Sequence, residues 1–437
     1  MRIRSLFLLL GLPVMSMAQS KKHVLLVSID GFRPNFYKDA RWKAPLLERL
    51  KAEGIYADGV NSVFPSVTYP SHTTIVTGAL PAQHGIYYNV PYESKNGAWY
   101  WEESAIKVPT LWDAIKKAQL KSGAVMWPVT VGAPIDYNFP VRRADNDEKT
   151  DQLSVTKPFI TPSGLLGSMQ KSMGSLSPKD FNHDNIDVTI GKMASYIVKT
   201  HQPDLMAVHF VGLDHAQHDF GRDAAQVQHS LTQIDSMLNI VLNAYKEAGL
   251  LNKTDIIITG DHGFVSVRQH LSPNALLREA GLIQENDWKA RFVSTGGSAF
   301  LYLKDKGDKL SLNKVVALLH SLPADQKKCF KILQRQELDQ MGANPEVALA
   351  LAADNRSAFN GSTDGPFVKP RKKVTGSHGH DPRMPELFTG FIGSGPSFKQ
   401  GHITKMKLTD ISGLIGDILG LSFKEADPDV QHQILKD

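Results

Sequence analysis

A chain of 437 residues with 42% hydrophobic content, its 34 glycines and 24 prolines spread along it, is long enough to bury a sizeable core and suits one large domain or a domain with a cap, so disorder is not the default. Its 49 basic against 44 acidic side chains leave a net charge of only +5, too little for the electrostatic footprint of a nucleic-acid-polymer binder. Cys329 is the single cysteine, so no intramolecular disulfide can form and any metal must be held by His and Asp.

The chain begins with Arg2 and Arg4, an apolar run of about ten residues, and then Ser16-Met17-Ala18, the pattern of a signal peptide cut after Ala18. The run is short of the ~20 apolar residues that span a bilayer. Residues 1–18 are therefore expected to be removed, leaving 19–437 as a single domain without a stable membrane anchor. The expected location is secreted or periplasmic, of bacterial type.

Short apolar runs follow at His23–Ile29, Gly123–Trp127, Leu205–Val211, Asp255–Thr259 and Leu387–Ile392, read as strands buried on both faces. Helical periodicity lies between them, clearest at Pro45–Glu53 before Gly54 and at Ala225–Ala248 before Gly249. This alternation predicts an α/β fold with a mainly parallel sheet flanked by helices. Arg142–Lys157 and Lys304–Lys314 lack strong periodicity and read as loops or parts of a cap, with cap-like insertions around 140–200 and 303–370. The basic run Lys369, Arg371, Lys372 and Lys373 reads as a solvated loop or as a means of steering an anionic substrate.

Three strands deliver an aspartate at or just past their carboxyl ends: Asp30, Asp214 and Asp261. Open α/β sheets place ligands there. Asp214 and His218 are four apart, on one face of a helical turn, a pair suited to a metal. Asp261-His262-Gly263 leaves a strand through a residue that allows a sharp turn. In Gly376-Ser377-His378-Gly379-His380 small residues flank His378, the candidate ligand, whereas His380 is read as a supporting or exposed side chain. At Phe64–His72 an extended, proline-punctuated stretch runs into Thr73–Gly78, a short helix with Thr68 at or near its amino end. Thr68 there is either an ordinary cap or a nucleophile favoured by the helix dipole.

Together the segments VSIDGFRPNF, FPSVTYPSHTTIVTGALPAQHGIYYN, LDHAQHDFG, TGDHGF and GSHGH resemble the nucleotide pyrophosphatase/phosphodiesterase family of the alkaline phosphatase superfamily, from about residue 22 to residue 398. The resemblance implies a three-layer fold with a small cap insertion, two zinc ions, and hydrolysis of small-molecule phosphodiesters or pyrophosphates, nucleotides foremost. It implies one zinc on Asp214, His218 and His378, and another on Asp30, Asp261, His262 and the oxygen of Thr68, the nucleophile. Asn89 matches a side-chain donor to a phosphate oxygen, Tyr69 an aromatic ring against a nucleobase, and Trp127-Pro128 a substituent pocket. His72 and His84 fall in family motifs without matching ligands, and His215 is expected to point away from the metals. The Thr-nucleophile monoesterases carry Lys and Arg after the second strand, whereas Trp127–Ala133 carries no charge, which favours diesters. Two departures bear on the leaving group: His209 stands where many nucleotide-cleaving relatives have Tyr, and the acidic residue they often show near Val131 is missing. A non-nucleotide diester or a monoester remains the alternative substrate.

Overall fold

Along the strand His23–Ile29, side chains alternate between two hydrophobic clusters: Leu25, Val27 and Ile29 enter one, Val24 and Leu26 the other. A strand apolar on both faces is stable only with a layer covering each. The computed structural model describes residues 22–94, 96–145 and 150–436, and the expected signal segment 1–18 lies outside them. It places this strand inside an eight-stranded sheet ordered Gly401–Ile403, Ile55–Ala57, Phe391–Ser394, Thr254–Thr259, His23–Ile29, Leu205–Phe210, Ser122–Val125, Tyr137–Phe139. Val27 pairs in register with Val208 on one side and Ile258 on the other. One face is covered by Pro45–Glu53, Ile186–His201 and Ala225–Glu247, and the other by Thr68–Thr77, Leu111–Lys117 and Thr409–Leu419. The fold is the expected three-layer α/β arrangement.

All pairings in this sheet are parallel except those of Phe391–Ser394, which runs antiparallel to both neighbours. That strand was expected at Leu387–Ile392, but Pro385–Leu387 forms a 3-10 turn and pairing starts only after Gly390. Similarly, the run Gly123–Trp127 pairs only as Ser122–Val125, because Met126 (φ 58°) and Val129 (φ 56°) turn the chain away.

Outside the main sheet, Ala290–Ser294, Ser298–Leu303, Phe330–Leu333 and Leu349–Ala353 form a four-stranded antiparallel sheet over its own core. Lys304–Lys314, expected as loop or cap, contains the start of a helix, Lys309–Ser321. Asp308 caps it by accepting from Ser311 N at 2.9 Å, and Ser311, Val315 and Leu319, four apart, bury its inner stripe. The basic run is likewise not a loop. It lies on the strand Val368–Ser377, antiparallel to Val265–Leu271, with an irregularity between Pro370 and Thr375. Among the described residues, no helix is long and apolar enough to cross a membrane.

Candidate active site

Asp30, Asp214 and Asp261 leave three neighbouring strands of the sheet, and the structure gathers them in one place. The turn after Asp30 needs Gly31, whose φ is 71° and whose position would put a Cβ 2.7 Å from Gln217 Nε2. Gly31 N donates to Asp261 Oδ1 at 3.0 Å, as does His262 N, so Asp261 presents only Oδ2 to the site. The helix Gly212–Phe220 brings Asp214 Oδ1 within 3.4 Å of His218 Nε2. His378 Nε2 approaches the same oxygen at 3.6 Å. His262 Nε2 lies 3.1 Å from Asp261 Oδ2 and 3.4 Å from Asp30 Oδ1, and its ring stacks on His378 at 3.7 Å.

The hydrogen bonds on the far side of each ring decide what these contacts are. His218 Nδ1 faces the Gly376 carbonyl at 3.1 Å, His262 Nδ1 the Gly263 carbonyl at 3.2 Å and His378 Nδ1 the Ser66 carbonyl at 3.1 Å. A carbonyl only accepts, so each Nδ1 carries the proton and each Nε2 turns a lone pair toward a carboxylate. Burial holds His262 and His378 well below the ordinary imidazole range, so those rings are neutral. Burial also raises the Asp30, Asp261 and Asp214 carboxyls, with Asp214 adding to the effect on Asp30 and Asp30 to that on Asp261. With the carboxyls ionised, acceptors face acceptors, and Asp30 Oδ1, Asp214 Oδ1, Asp261 Oδ2 and His262 Nε2 are buried with no hydrogen-bond partner. Such a set is suited to holding cations. Ligand atoms of Asp214, His218 and His378 form one group compact enough for an ion, and those of Asp30, Asp214 and His262 a second.

Thr68 is the first residue of the helix Thr68–Thr77, after extended Val67 (φ −130°, ψ 159°), and it lines the same cavity. Ser66 ties this turn to the His378 loop: its carbonyl accepts from Gly379 N at 2.9 Å as well as from His378, and its hydroxyl donates to the His380 carbonyl at 2.9 Å. Gly379 (φ 86°) is required here, since a Cβ would lie 2.0 Å from the Thr295 carbonyl. Asn89 Oδ1 accepts from Tyr69 N at 2.9 Å, which leaves its amide N–H groups as the donors facing the cavity.

The remaining sequence candidates divide. Pro128 lines the cavity, whereas Trp127 is wholly buried against His72 and Trp112 and is not on the cavity wall. Trp127 is therefore a core side chain and has no surface to offer substrate. Tyr69 reaches the wall but is only 2% exposed, its ring edge-on to Trp99 at 5.1 Å, so Trp99 is the more open aromatic. His72 (Nδ1 to Thr68 O, 2.8 Å) and His84 (Nε2 to Thr74 Oγ1, 3.1 Å) brace the Thr68 helix. His380 is buried, not exposed, with Nε2 2.8 Å from the Ser357 carbonyl. His215 lies outside both ligand groups and lines the cavity, stacked on His183 at 4.0 Å.

Among the cavity residues, His209 was noted in the sequence only as a departure from relatives with Tyr, and Trp99, Arg143 and Gln152 were not singled out. His209 had a signal, an imidazole at the end of a strand that leads to Asp214. Its Nδ1 is 3.0 Å from the Met126 carbonyl and its Nε2 3.2 Å from Asp30 Oδ2, the same lone-pair-to-carboxylate pattern as the three expected ligands. The other three had none, because they reach the site on loops and short helices that only tertiary folding brings over the sheet.

Asp187 was also missed. It leaves the helix Ile186–His201 to accept from Val211 N at 2.9 Å and Gly212 N at 3.0 Å, capping the helix that carries Asp214 and His218. Burial raises its carboxyl to about 6, the two N–H bonds pulling it back. Between the unfolded value near 4 and pH 6 the folded chain keeps a proton that the unfolded chain has lost. Its contribution to stability therefore falls as pH rises through that window and stays low above it. Asp187→Asn cannot ionise. Relative to wild type it is expected to gain about 3 kcal/mol between pH 4 and pH 7, measured by paired denaturant unfolding at the two pH values.

A family model, type I phosphodiesterase / nucleotide pyrophosphatase, matches residues 24–381. Human ectonucleotide pyrophosphatase/phosphodiesterase family member 1 is 24% identical over 91% of this chain, which spans 40% of that protein's length. Rat family member 7 is 22% identical, with 94% of this chain and 86% of that protein covered. Among solved structures, an inactive variant of murine ectonucleotide pyrophosphatase / phosphodiesterase 5 in complex with AMP superimposes with a TM-score of 0.66 at 20% identity, covering 95% of this chain and all of that one. With the family model running through every segment that builds the site, the chain belongs to the type I phosphodiesterase / nucleotide pyrophosphatase family.

Proposed function

We propose that this protein hydrolyses phosphodiester or pyrophosphate bonds, with nucleotides as the leading substrate class, by a double displacement through Thr68. The observation that carries this reading is the meeting of three buried carboxylates with histidine lone pairs beside a threonine at a helix start. That donor set fits a pair of divalent cations. It contains no thiolate and suits zinc, held by Asp214, His218 and His378 on one side and by Asp30, Asp261, His262 and the Thr68 oxygen on the other. Such ions supply Lewis-acid stabilisation of phosphoryl oxygens and a lowered pKa for the attacking hydroxyl.

The chain's own residues do the rest. Thr68 Oγ1 gives up its proton to solvent and attacks phosphorus, forming the Oγ1–P bond as the bond to the leaving oxygen breaks, and the leaving oxygen departs with that electron pair and takes up a proton from solvent. The dipole of the Thr68–Thr77 helix favours the negative charge at that point. The Asn89 amide, oriented by Tyr69 N, donates to a phosphoryl oxygen. Water then cleaves the phosphothreonine ester from the opposite side, restoring the hydroxyl and releasing the phosphorylated product. Asn89→Ala is expected to lower kcat by about 100-fold on a diester, as loss of one oxyanion donor does, with metal content unchanged by elemental analysis.

The uncharged Trp127–Ala133 segment supports diesters over monoesters, and the AMP complex of the murine structural neighbour supports nucleotides. The test is a comparison of kcat/KM on a nucleoside triphosphate, a dinucleotide, a phosphocholine diester and a monoester. The nucleotides should lead. A monoester faster than every diester would overturn the reaction class, and a leading phosphocholine diester would overturn the nucleotide preference alone.

A further inference from the structure

Asp30, Asp214, His218 and His378, with Thr68 and Asn89, line a cavity of about 300 Å³ that is lined too by residues with no part in the chemistry so far: Arg143, Gln152, Phe181 and His183 among them. Two adjacent arginines enter this region with opposite fates. Arg142 pairs with Asp145 at 3.1 Å, and Asp145 accepts from Trp101 Nε1 at 3.0 Å, so this pair fastens the loop at its base. Arg143 makes no ion pair with any described acidic residue. Its guanidinium lies 4.5 Å from the ring centroid of Trp99, and both side chains line the cavity.

A diester carries one negative charge at the scissile phosphorus, already met by the cation sites and Asn89. Trp127–Ala133, the segment that could have brought a second cationic side to the site, brings none. Arg143 supplies it from the insertion instead. From the hydrolase reading above, we infer that Arg143 is a specificity residue that binds an anionic group of the substrate beyond the single charge of the scissile diester. The ligand chemistry is a second phosphate charge, carried either by a neighbouring phosphate in a pyrophosphate chain or by a terminal monoester. A guanidinium suits it because its planar fork bonds two phosphate oxygens at once, and stacking on an indole limits its freedom before substrate arrives. Arg143 lines the same cavity as Asp30, Asp214, His218 and His378, so the guanidinium and these metal donors share one space.

The test compares wild type, Arg143→Ala and Arg143→Lys on bis-p-nitrophenyl phosphate, a nucleoside triphosphate and p-nitrophenyl phosphate, with inorganic pyrophosphate binding followed by calorimetry. Arg143→Ala should lower kcat/KM on the triphosphate by about 30-fold, the scale of a hydrogen-bonded charge pair, and change bis-p-nitrophenyl phosphate by less than about threefold. Arg143→Lys should recover part of the loss. A loss on the triphosphate alone puts the second charge on a neighbouring phosphate, and a loss on the monoester alone puts it on the scissile group; both support the inference. Equal losses on all three substrates, or none, would overturn it and make Arg143 a support for Trp99. A wild type that hydrolyses none of the three defeats the hydrolase reading instead. The inference is then decided by pyrophosphate, whose binding must weaken in Arg143→Ala and overturns the inference if unchanged.

Discussion

Thr68→Ala is expected to lower kcat/KM on bis-p-nitrophenyl phosphate by roughly 10⁴-fold, with the fold intact. Removing the hydroxyl deletes the only chain atom assigned to form a bond to phosphorus. The helix start, the Asn89 donor and the carboxylate cluster remain, so binding survives while turnover does not. The structure also says why the variant should stay folded. Thr68 is partly exposed, caps nothing with its side chain, and its backbone carbonyl still accepts from His72. A thermal midpoint within about 2 °C of wild type is the control. Residual turnover within tenfold of wild type would remove Thr68 from the mechanism.

Stripping the metal ranks second. A chelator should abolish turnover by roughly 10³-fold, the equivalent of several kcal/mol of lost charge stabilisation, and zinc should restore it. Stability should fall too, and that readout does not depend on catalysis. Without cations, burial and the neighbouring carboxylates push Asp30 and Asp261 toward taking up protons, and the binding energy of the ions is lost to the folded state. Ions bound well below their working concentration stabilise by about 3 kcal/mol each or more, which for a chain of this size corresponds to a midpoint lower by about 5 °C or more. An unfolding midpoint indifferent to chelation would contradict the cation sites. In Asp214→Ala, whose oxygen faces both His218 and His378, bound zinc should fall below two per chain by elemental analysis.

What could be read in the sequence was local. Asp30, Asp214 and Asp261 were visible because each follows an apolar run, and a parallel sheet sends such positions to one edge. Asp214 and His218 share a helical face by spacing alone. What could not be read depends on partners distant in sequence. Asp187 caps a helix 24 residues away, and no local pattern marks it. Arg142 and Arg143 look alike in sequence, and only the position of Asp145 and Trp99 separates a fastening from a cavity cation. Trp127 was misjudged because a tryptophan at a strand end can face either a pocket or a core, and the positive φ of Met126 before it settles the choice. The antiparallel direction of Phe391–Ser394 escaped for a similar reason, since direction within a sheet leaves no mark on a buried apolar run.

The double displacement through Thr68 makes one stereochemical demand. Hydrolysis of a phosphorothioate diester of known chirality at phosphorus, in ¹⁸O water, should give product with net retention, because attack by Thr68 and attack by water each invert the centre. Net inversion would mean that water reaches phosphorus directly, and would contradict a covalent role for Thr68.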